Sequence, residues 1–258
     1  PRVFQRVNPL MELEYRRKFF SGEVNMHGSF TYGSFFDRDG DPFTSADTFL
    51  TPGGAVLTDG LPTGRRLRSH LFADGQFKIS DDWDWGFGVQ GATDDLYLNR
   101  YDLDEAPEKT GLYDGDSRRI LSQIFAVGQN DDFRFTTSAY GFQSLRTNIR
   151  EDDVLPDTFI ISGEDDSVLP VIAPKIELTK FFQDPILDGR LSIQGDITSL
   201  TRKLGTDYSR VSGSLDWEKT AILPGGIEAT PFGEVRYDYF NISPEDAPET
   251  DFNRTLGQ

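Results

Sequence analysis

Residues 66–79 read RLRSHLFADGQFKI, and residues 83–91 read WDWGFGVQG. Apolar side chains such as Leu67 and Leu71 occupy alternate positions in both stretches, with polar or charged side chains between them. Because the side chains of a β-strand point alternately to its two faces, each stretch predicts a strand with one apolar and one polar face. The intervening Ser80-Asp81-Asp82 is typical of a turn, so the two stretches predict a hairpin.

The two predicted strands are long. They contain 14 and 9 residues, whereas strands of globular proteins contain about 5 to 6. A strand that crosses a bilayer at a tilt needs about 9 to 11 residues. The hairpin therefore indicates membrane-spanning strands, provided that the same unit recurs along the chain.

Alternation of the same kind recurs over most of the chain. Segments of this type follow one another, and no stretch between them has the period of a convincing amphipathic helix. The sequence predicts ten strands, at residues 11–19, 24–33, 66–79, 83–92, 120–129, 133–145, 170–181, 189–202, 208–222 and 227–242.

The lengths of the predicted connections follow a pattern. Those after the first, third, fifth, seventh and ninth strands are short, those after the second, fourth and sixth are long, and the short eighth is the exception. Outer-membrane barrels combine tight periplasmic turns with long extracellular loops. The predicted fold class is therefore all-β, an antiparallel transmembrane β-barrel whose first strand here runs toward the periplasm. Because a barrel strand should precede it and the chain opens at Pro1, we expect residues 1–258 to be a segment of a single, larger barrel domain.

The composition agrees with a barrel that has a polar interior. Hydrophobic residues make up 36% of the 258 residues and aromatic residues 13%, with 43 acidic against 26 basic side chains and a net charge of -17. A strand with a polar inner face uses only every second residue for apolar contacts. The acidic balance disfavours nucleic acid as a partner, because binding phosphates requires clustered cations. The chain has no cysteine, which excludes disulfides and thiolate metal sites within it.

The polar faces of the predicted strands carry charges of both signs. Such a face predicts a water-filled lumen, since a narrow barrel must fill its interior with side chains. Aromatic residues near strand ends, such as Trp83 and Tyr237, fit the interfacial girdles of membrane barrels. The other interpretation of the polar positions is the solvated face of an ordinary sheet. The predicted lumen-lining residues are Arg66, Arg68, His70, Gln194, Asp196, Arg210, Asp216, Glu234 and Arg236.

No motif in the sequence indicates an enzyme or a bound cofactor. His27 and His70 lie at polar positions, but no Glu-x-x-His spacing accompanies them, so we expect them to line the lumen rather than bind a metal. Residues 37–41 resemble the start of a calcium loop, yet Thr48 stands where the full pattern needs a carboxylate. No Gly-x-Ser-x-Gly elbow occurs either. We therefore predict no catalytic residue, no metal ligand and no cofactor.

Several short sequence motifs occur in an order and spacing that point to one family. They are EYR at residues 14–16, FFSG at 19–22, TDDLYLNRY at 93–101, LPVIAP at 169–174 and RYDYF at 236–240. In this succession the chain resembles the β-barrel domain of the LptD family of lipopolysaccharide-assembly proteins, also called organic solvent tolerance proteins. The family pattern after a strand is Ser-Asp, two residues, then Tyr-Leu-Arg-Arg-Tyr. Here Thr93 replaces the Ser and Asn99 the first Arg.

The resemblance implies a function and a set of partners. It implies a barrel in the outer membrane of a Gram-negative cell that closes from more strands than this chain holds and inserts lipopolysaccharide into the outer leaflet. It also implies an LptE-like lipoprotein plug in the lumen, an LptA-like periplasmic bridge and surrounding outer-membrane lipid. The family cysteines that link the barrel to its periplasmic domain have no counterpart in this chain.

Two other functions stay open at the level of the sequence. A general or substrate-specific porin would share the barrel but lack the LptD-like sequence motifs, and it would conduct ions when reconstituted. A soluble periplasmic or secreted β-sandwich that binds ligands would need no detergent.

Overall fold

β-Strands dominate the fold. A computed structural model describes residues 8–37, 41–58, 61–103, 111–115, 118–183, 186–245, 248 and 250–257. Its one α-helix within these ranges is α1 (Tyr97–Arg100), and no helix there is long and apolar enough to cross a membrane. The strands are β1 (Met11–Lys18), β2 (Gly22–Ser34), β3 (Thr48–Leu50), β4 (Arg65–Lys78), β5 (Trp83–Ala92), β6 (Arg119–Asn130), β7 (Phe133–Ser144), β8 (Asn148–Glu151), β9 (Thr158–Ser162), β10 (Val171–Gln183), β11 (Arg190–Thr201), β12 (Asp207–Glu218), β13 (Ala221–Leu223), β14 (Ile227–Ala229), β15 (Phe232–Ser243) and β16 (Thr250–Gly257).

One large sheet contains most of these strands. Eleven of the described strands form it, in the order β1, β2, β4, β5, β6, β7, β10, β11, β12, β15 and β16. The order follows the chain, so each strand pairs with those next to it in sequence, as in the wall of an up-and-down barrel. The prediction of an all-β, antiparallel fold is confirmed.

Ten of the eleven strands lie where the sequence predicts strands. The first eight agree with the predicted bounds within two residues at each end. The sequence does not predict β16 or the short elements within the long connections. The calcium-like segment at 37–41 and the short connection predicted between the strands at 170–181 and 189–202 fall partly on residues 38–40 and 184–185, outside the described residues. The assignment of residues 1–258 to a single barrel domain stays a prediction.

The ninth connection differs from the prediction. The strand predicted at 208–222 ends earlier, at Glu218, and the strand predicted at 227–242 begins later, at Phe232. Between them, β13 and β14 form a separate two-stranded sheet. Gly225 and Gly226 at its tip have φ angles of 94° and 79°, which glycine adopts without the steric cost of a side chain. Pro231 cannot donate a ladder hydrogen bond and precedes the point where β15 begins. The connection predicted as a tight turn is therefore a small hairpin.

The chain divides into two compact units. Unit 1 consists of residues 1–75, 87–122 and 142–166, and unit 2 consists of residues 76–86, 123–141 and 167–258. Most of the long connections thus belong to unit 1, while the short turns between strands belong mainly to unit 2.

Unit 1 has an apolar core built from its long connections. β3 pairs in parallel with β9, and β9 pairs in antiparallel with β8. Phe49 of β3 is 1% exposed, and its ring centroid lies 5.5 Å from that of Phe43 and 5.8 Å from that of Phe159. A second buried group lies around Tyr97 and Tyr101 of the α1 segment. The sequence predicts these connections as irregular loops. A local pattern does not reveal their packing, because the contacts join residues that are far apart in the chain.

Replacing Phe49 with Ala should open this small sheet. Removing a buried Phe costs about 3 to 5 kcal/mol, which we expect as a loss in the free energy of local opening. Limited proteolysis within residues 41–58 of the folded protein would measure it as faster cleavage. Val56→Ala, at a side chain that is 64% exposed, is the matched control and should leave the cleavage rate unchanged. Equal rates in both variants would contradict a packed core around Phe49.

Candidate transport surface

The polar face of unit 2 is a set of rows that run across its strands. Residues paired across antiparallel strands share a face and lie side by side. One row crosses β7, β10, β11, β12 and β15 and consists of Arg134, Thr179, Gln194, Ser214 and Arg236. The next row continues into β16 and consists of Thr136, Glu177, Asp196, Ser212, Asp238 and Arg254.

Charges on this face are balanced. On this face, β7, β10, β11, β12, β15 and β16 together carry six basic and six acidic side chains, although the whole chain has a net charge of -17. The basic residues are Arg134, Lys175, Arg190, Arg210, Arg236 and Arg254; the acidic residues are Glu177, Asp196, Asp216, Glu218, Glu234 and Asp238.

Ion pairs hold most of these charges in place. Nε of Arg210 lies 3.1 Å from Oδ1 of Asp196. The carboxylate of Asp238 is 1% exposed and accepts hydrogen bonds of 3.0 Å from both Arg236 and Arg254. Charge-assisted hydrogen bonds of this kind compensate for the loss of hydration of a buried carboxylate. The wall is therefore polar without carrying an uncompensated buried charge at these positions.

Asp216 organises the hydroxyl and amide groups around it. The hydroxyls of Ser192 and Ser214 donate to its Oδ2 at 3.2 and 3.0 Å, and the amide of Gln194 does so at 3.4 Å. The register also places Asp216 beside Glu234. This part of the face presents carboxylate oxygens and polar groups that are already oriented.

A groove follows the polar rows. Its volume is about 330 Å³, and its lining includes Arg134, Gln194, Asp196, Arg210 and Arg236. Four of these are predicted lumen residues. The fifth, Arg134, is the one of the six basic side chains named above that lacks an acidic partner among the described residues.

The opposite face of unit 2 is apolar and open. Val211, Leu215, Val235 and Tyr237 point to it, and they are 46%, 50%, 56% and 47% exposed. Soluble monomers rarely expose a contiguous apolar surface of this kind. The strands thus form a wall with one polar and one apolar side.

In unit 1 the polar face is filled rather than open. Arg68 is fully buried, and Asp94 accepts hydrogen bonds of 2.9 and 2.8 Å from its Nε and Nη2. The guanidinium also lies 4.2 Å from the ring centroid of Phe35, with the rings of Tyr97 and Tyr101 at 5.6 and 5.7 Å. The pair therefore anchors the segment around α1 to β4.

His70 belongs to the same buried cluster. Its Nδ1 lies 2.7 Å from the hydroxyl of Ser29, and that hydroxyl lies 2.8 Å from the hydroxyl of Tyr97. Its ring meets that of His27 edge to face, with centroids 5.2 Å apart. No group of three or more His, Cys, Asp or Glu side chains in the described part of the chain is arranged to hold a metal ion.

Ionisable groups in the connections of unit 1 are perturbed by burial and by ion pairs. Burial raises the pKa of Tyr97 to about 12, so that this phenol remains a hydrogen-bond donor. Burial also raises the pKa of Asp95, although a hydrogen bond from Thr147 opposes the shift. The hydrogen bond from Arg119 lowers the pKa of Glu164 to about 2. Glu164 thereby links the connection after β7 to the start of β6.

The predicted site residues fall into two groups. Gln194, Asp196, Arg210, Asp216, Glu234 and Arg236 lie together on the polar face of unit 2. In unit 1, Arg68 and His70 are enclosed by the connections, while Arg66 is exposed and donates to the backbone carbonyls of Leu61 and Thr63. That any of the nine lines a transport path stays a prediction.

Four residues of these networks are not among the nine predicted lumen-lining residues. The alternation places Asp238 and Arg134 on the polar positions of predicted strands, but the prediction does not include them. Asp94 lies in a connection where alternation gives no signal, and Arg254 lies in β16, which the sequence does not predict.

A family comparison points to the same stretch of chain. The model of the LptD family, LPS transport system D, matches residues 66–258, a range that runs from the second residue of β4 through β16 and includes all nine predicted site residues. A comparison with curated proteins gave no match.

Replacing Arg68 with Met should destabilise unit 1. Removing one partner of a buried ion pair costs about 3 to 5 kcal/mol, because the other charge remains buried without compensation. Urea unfolding of the detergent-solubilised protein would measure this loss. Arg66→Met, on the same strand and face but exposed, is the control and should change the stability by no more than about 0.5 kcal/mol. An equal effect of both substitutions would contradict the anchoring role of Arg68.

Acid should release the connection held by Glu164. Because the pKa of Glu164 in the folded protein, about 2, lies below its ordinary value of 4.5, its ion pair stabilises the fold fully above that ordinary value. The contribution is lost as the pH falls from there through the folded pKa. Protection of the amides of residues 163–166 against hydrogen exchange, taken relative to the intrinsic exchange rate at each pH, should therefore fall over this range. Glu164→Gln should remove this pH dependence, and an unchanged dependence in that variant would assign the effect to another group.

Proposed function

The chain belongs to the LptD family, and from this premise we propose that it forms part of an outer-membrane translocon that inserts lipopolysaccharide into the outer leaflet. The family acts in lipopolysaccharide transport and belongs to the outer membrane. An all-β chain with this strand order is consistent with the β-barrel domain of that family. The function of the family is transport and assembly, and the proposal assigns no catalytic residue to this chain.

The two-sided wall of unit 2 is the observation that carries the proposal. Lipopolysaccharide is an amphiphile, with a phosphorylated sugar part and several acyl chains. The polar rows offer hydroxyl, amide and paired ionic groups to the sugars, while the apolar side faces lipid. A face with the charge density of the whole acidic chain would repel an anionic substrate. The balanced polar face avoids that repulsion.

Arg134 gives the groove a specific role in this proposal. Its guanidinium has no acidic partner among the described residues, and Arg236 lines the same groove. Guanidinium groups bind phosphate through paired hydrogen bonds. We therefore assign to Arg134 a transient contact with the phosphates of the passing substrate, in the groove that Thr179 and Ser214 also line.

The proposal extends to the partners. An LptE-like lipoprotein would occupy the lumen, and an LptA-like periplasmic bridge would deliver the substrate. The resemblance to the family supports both, and residues 1–258 would then be a segment of the barrel they act on.

Photocrosslinking at two positions tests the function. A photoreactive amino acid at Gln194, on the polar face, should form an adduct with lipopolysaccharide in growing cells, and this adduct should disappear when supply of the substrate is stopped. The matched control is Leu215 on the apolar face, where adducts with membrane lipid should persist after supply stops. If Gln194 gives no adduct and the purified parent protein conducts ions steadily, the protein is a diffusion channel and the proposal fails.

A further inference from the structure

A recess interrupts the apolar face of unit 2. Its volume is about 500 Å³, and no charged side chain of the described residues lines it. Its lining includes Trp85, Ile124, Ala126, Ala139, Ala173 and Pro174. Ala139 lies on the same face of β7 as Thr137, and Thr137 pairs with Ile176 of β10. The side chain of Ile124, which also lines the recess, is 54% exposed. The recess therefore opens on the side of the wall opposite to the polar rows.

The local backbone and three small side chains create this recess. β10 contains a bulge between Ile172 and Lys175, which shifts its register against both β7 and β11. A bulge bends the strand and re-aims its side chains. Ala126, Ala139 and Ala173 then leave space that larger side chains of a close-packed wall would fill.

One wall of the recess is held by aromatic stacking. The ring of Trp85 stacks on that of Phe77, with centroids 5.0 Å apart and an angle of 18° between the planes. Stacking restricts the indole, so the recess has a fixed side. It is continuous with the apolar face that a member of this family turns toward the outer membrane.

We propose that the recess is a binding site for one acyl chain of a glycerophospholipid. Most of its lining is apolar and suits a chain of methylene groups; Thr137 and Ser138 contribute its polar groups, and no charged side chain of the described residues lines it. A phospholipid can place one of its two chains in the recess while the other stays in the bilayer. The headgroup of a zwitterionic glycerophospholipid carries its own cation beside its phosphate, whereas the phosphorylated sugar unit of lipopolysaccharide would lie close to a lining that has no cation.

Packing, rather than the hydrophobic effect, supplies the preference for the recess. Lipid tails are as apolar as leucine, so moving a chain from the bilayer to a protein surface gains no hydrophobic free energy. A chain in the recess gains contacts on several sides, whereas a chain on a flat wall gains them on one. The site thus holds a lipid more firmly than the neighbouring surface does. This inference rests on the outer-membrane location within the proposed function and is independent of what crosses the lumen.

Native mass spectrometry of the purified parent protein after extensive detergent exchange tests the inference. The wild type should retain one phospholipid. Ala139→Trp, which fills the recess, should lose it, and Val211→Trp, on the flat part of the same face, should keep it. If Ala139→Trp does not fold, as judged by mobility in SDS gels with and without heating, Ala139→Leu replaces it.

Each result decides the inference. Retention in the wild type and Val211→Trp with loss in the filled variant supports it. The absence of retained lipid in the wild type, equal retention in all variants or retention of lipopolysaccharide in place of a phospholipid overturns it. Crosslinking at Gln194 reports on transport separately, so a failure of the lipid site leaves the translocon proposal to its own test.

Discussion

The antiparallel register is the constraint on which the rest of the structure depends. It places Asp196 near Arg210 and Asp238 beside Arg254, so that charges on neighbouring strands meet as pairs. Side chains alternate with a period of two, and a slip of one residue would move every charged side chain of a strand to its other face. In a membrane wall that slip would place ionic groups in lipid, which is costly. The pairing of charges and the separation of the two faces therefore specify the same register.

A different interaction governs the connections of unit 1. Arg68 projects from β4 into a cluster of aromatic rings, and Asp94 compensates its charge. Such a pair contributes little net stability over an apolar replacement, yet it fits only one arrangement of the two segments. We infer that it fixes the position of the α1 segment, while Phe49 and its apolar neighbours supply the burial that stabilises the long connections. Long connections that are packed in this way are parts of the fold, in contrast to the irregular loops that the sequence predicts.

Much of the sheet could be predicted from the sequence, because alternation is a local signal. It gave ten strands and assigned Gln194 and Arg210 to a polar face on which the structure brings them together. The burial of His70 could not be predicted, since it depends on contacts with Ser29 and Tyr97, which are distant in the sequence. β16 escaped prediction for a physical reason as well. Its register places Phe252 on the side of the polar rows, so that it departs from the pattern of the other strands.

The distribution of charge follows the same division between wall and connections. The three long connections contain 20 acidic and 6 basic side chains, which accounts for -14 of the net charge of -17; they are residues 35–64, 93–118 and 145–170. At physiological ionic strength the field of exposed charges is screened within about 8 Å. The acidic connections therefore act mainly on their immediate surroundings. Concentrating negative charge in the connections allows a strongly acidic chain to carry a polar face whose own charges are balanced.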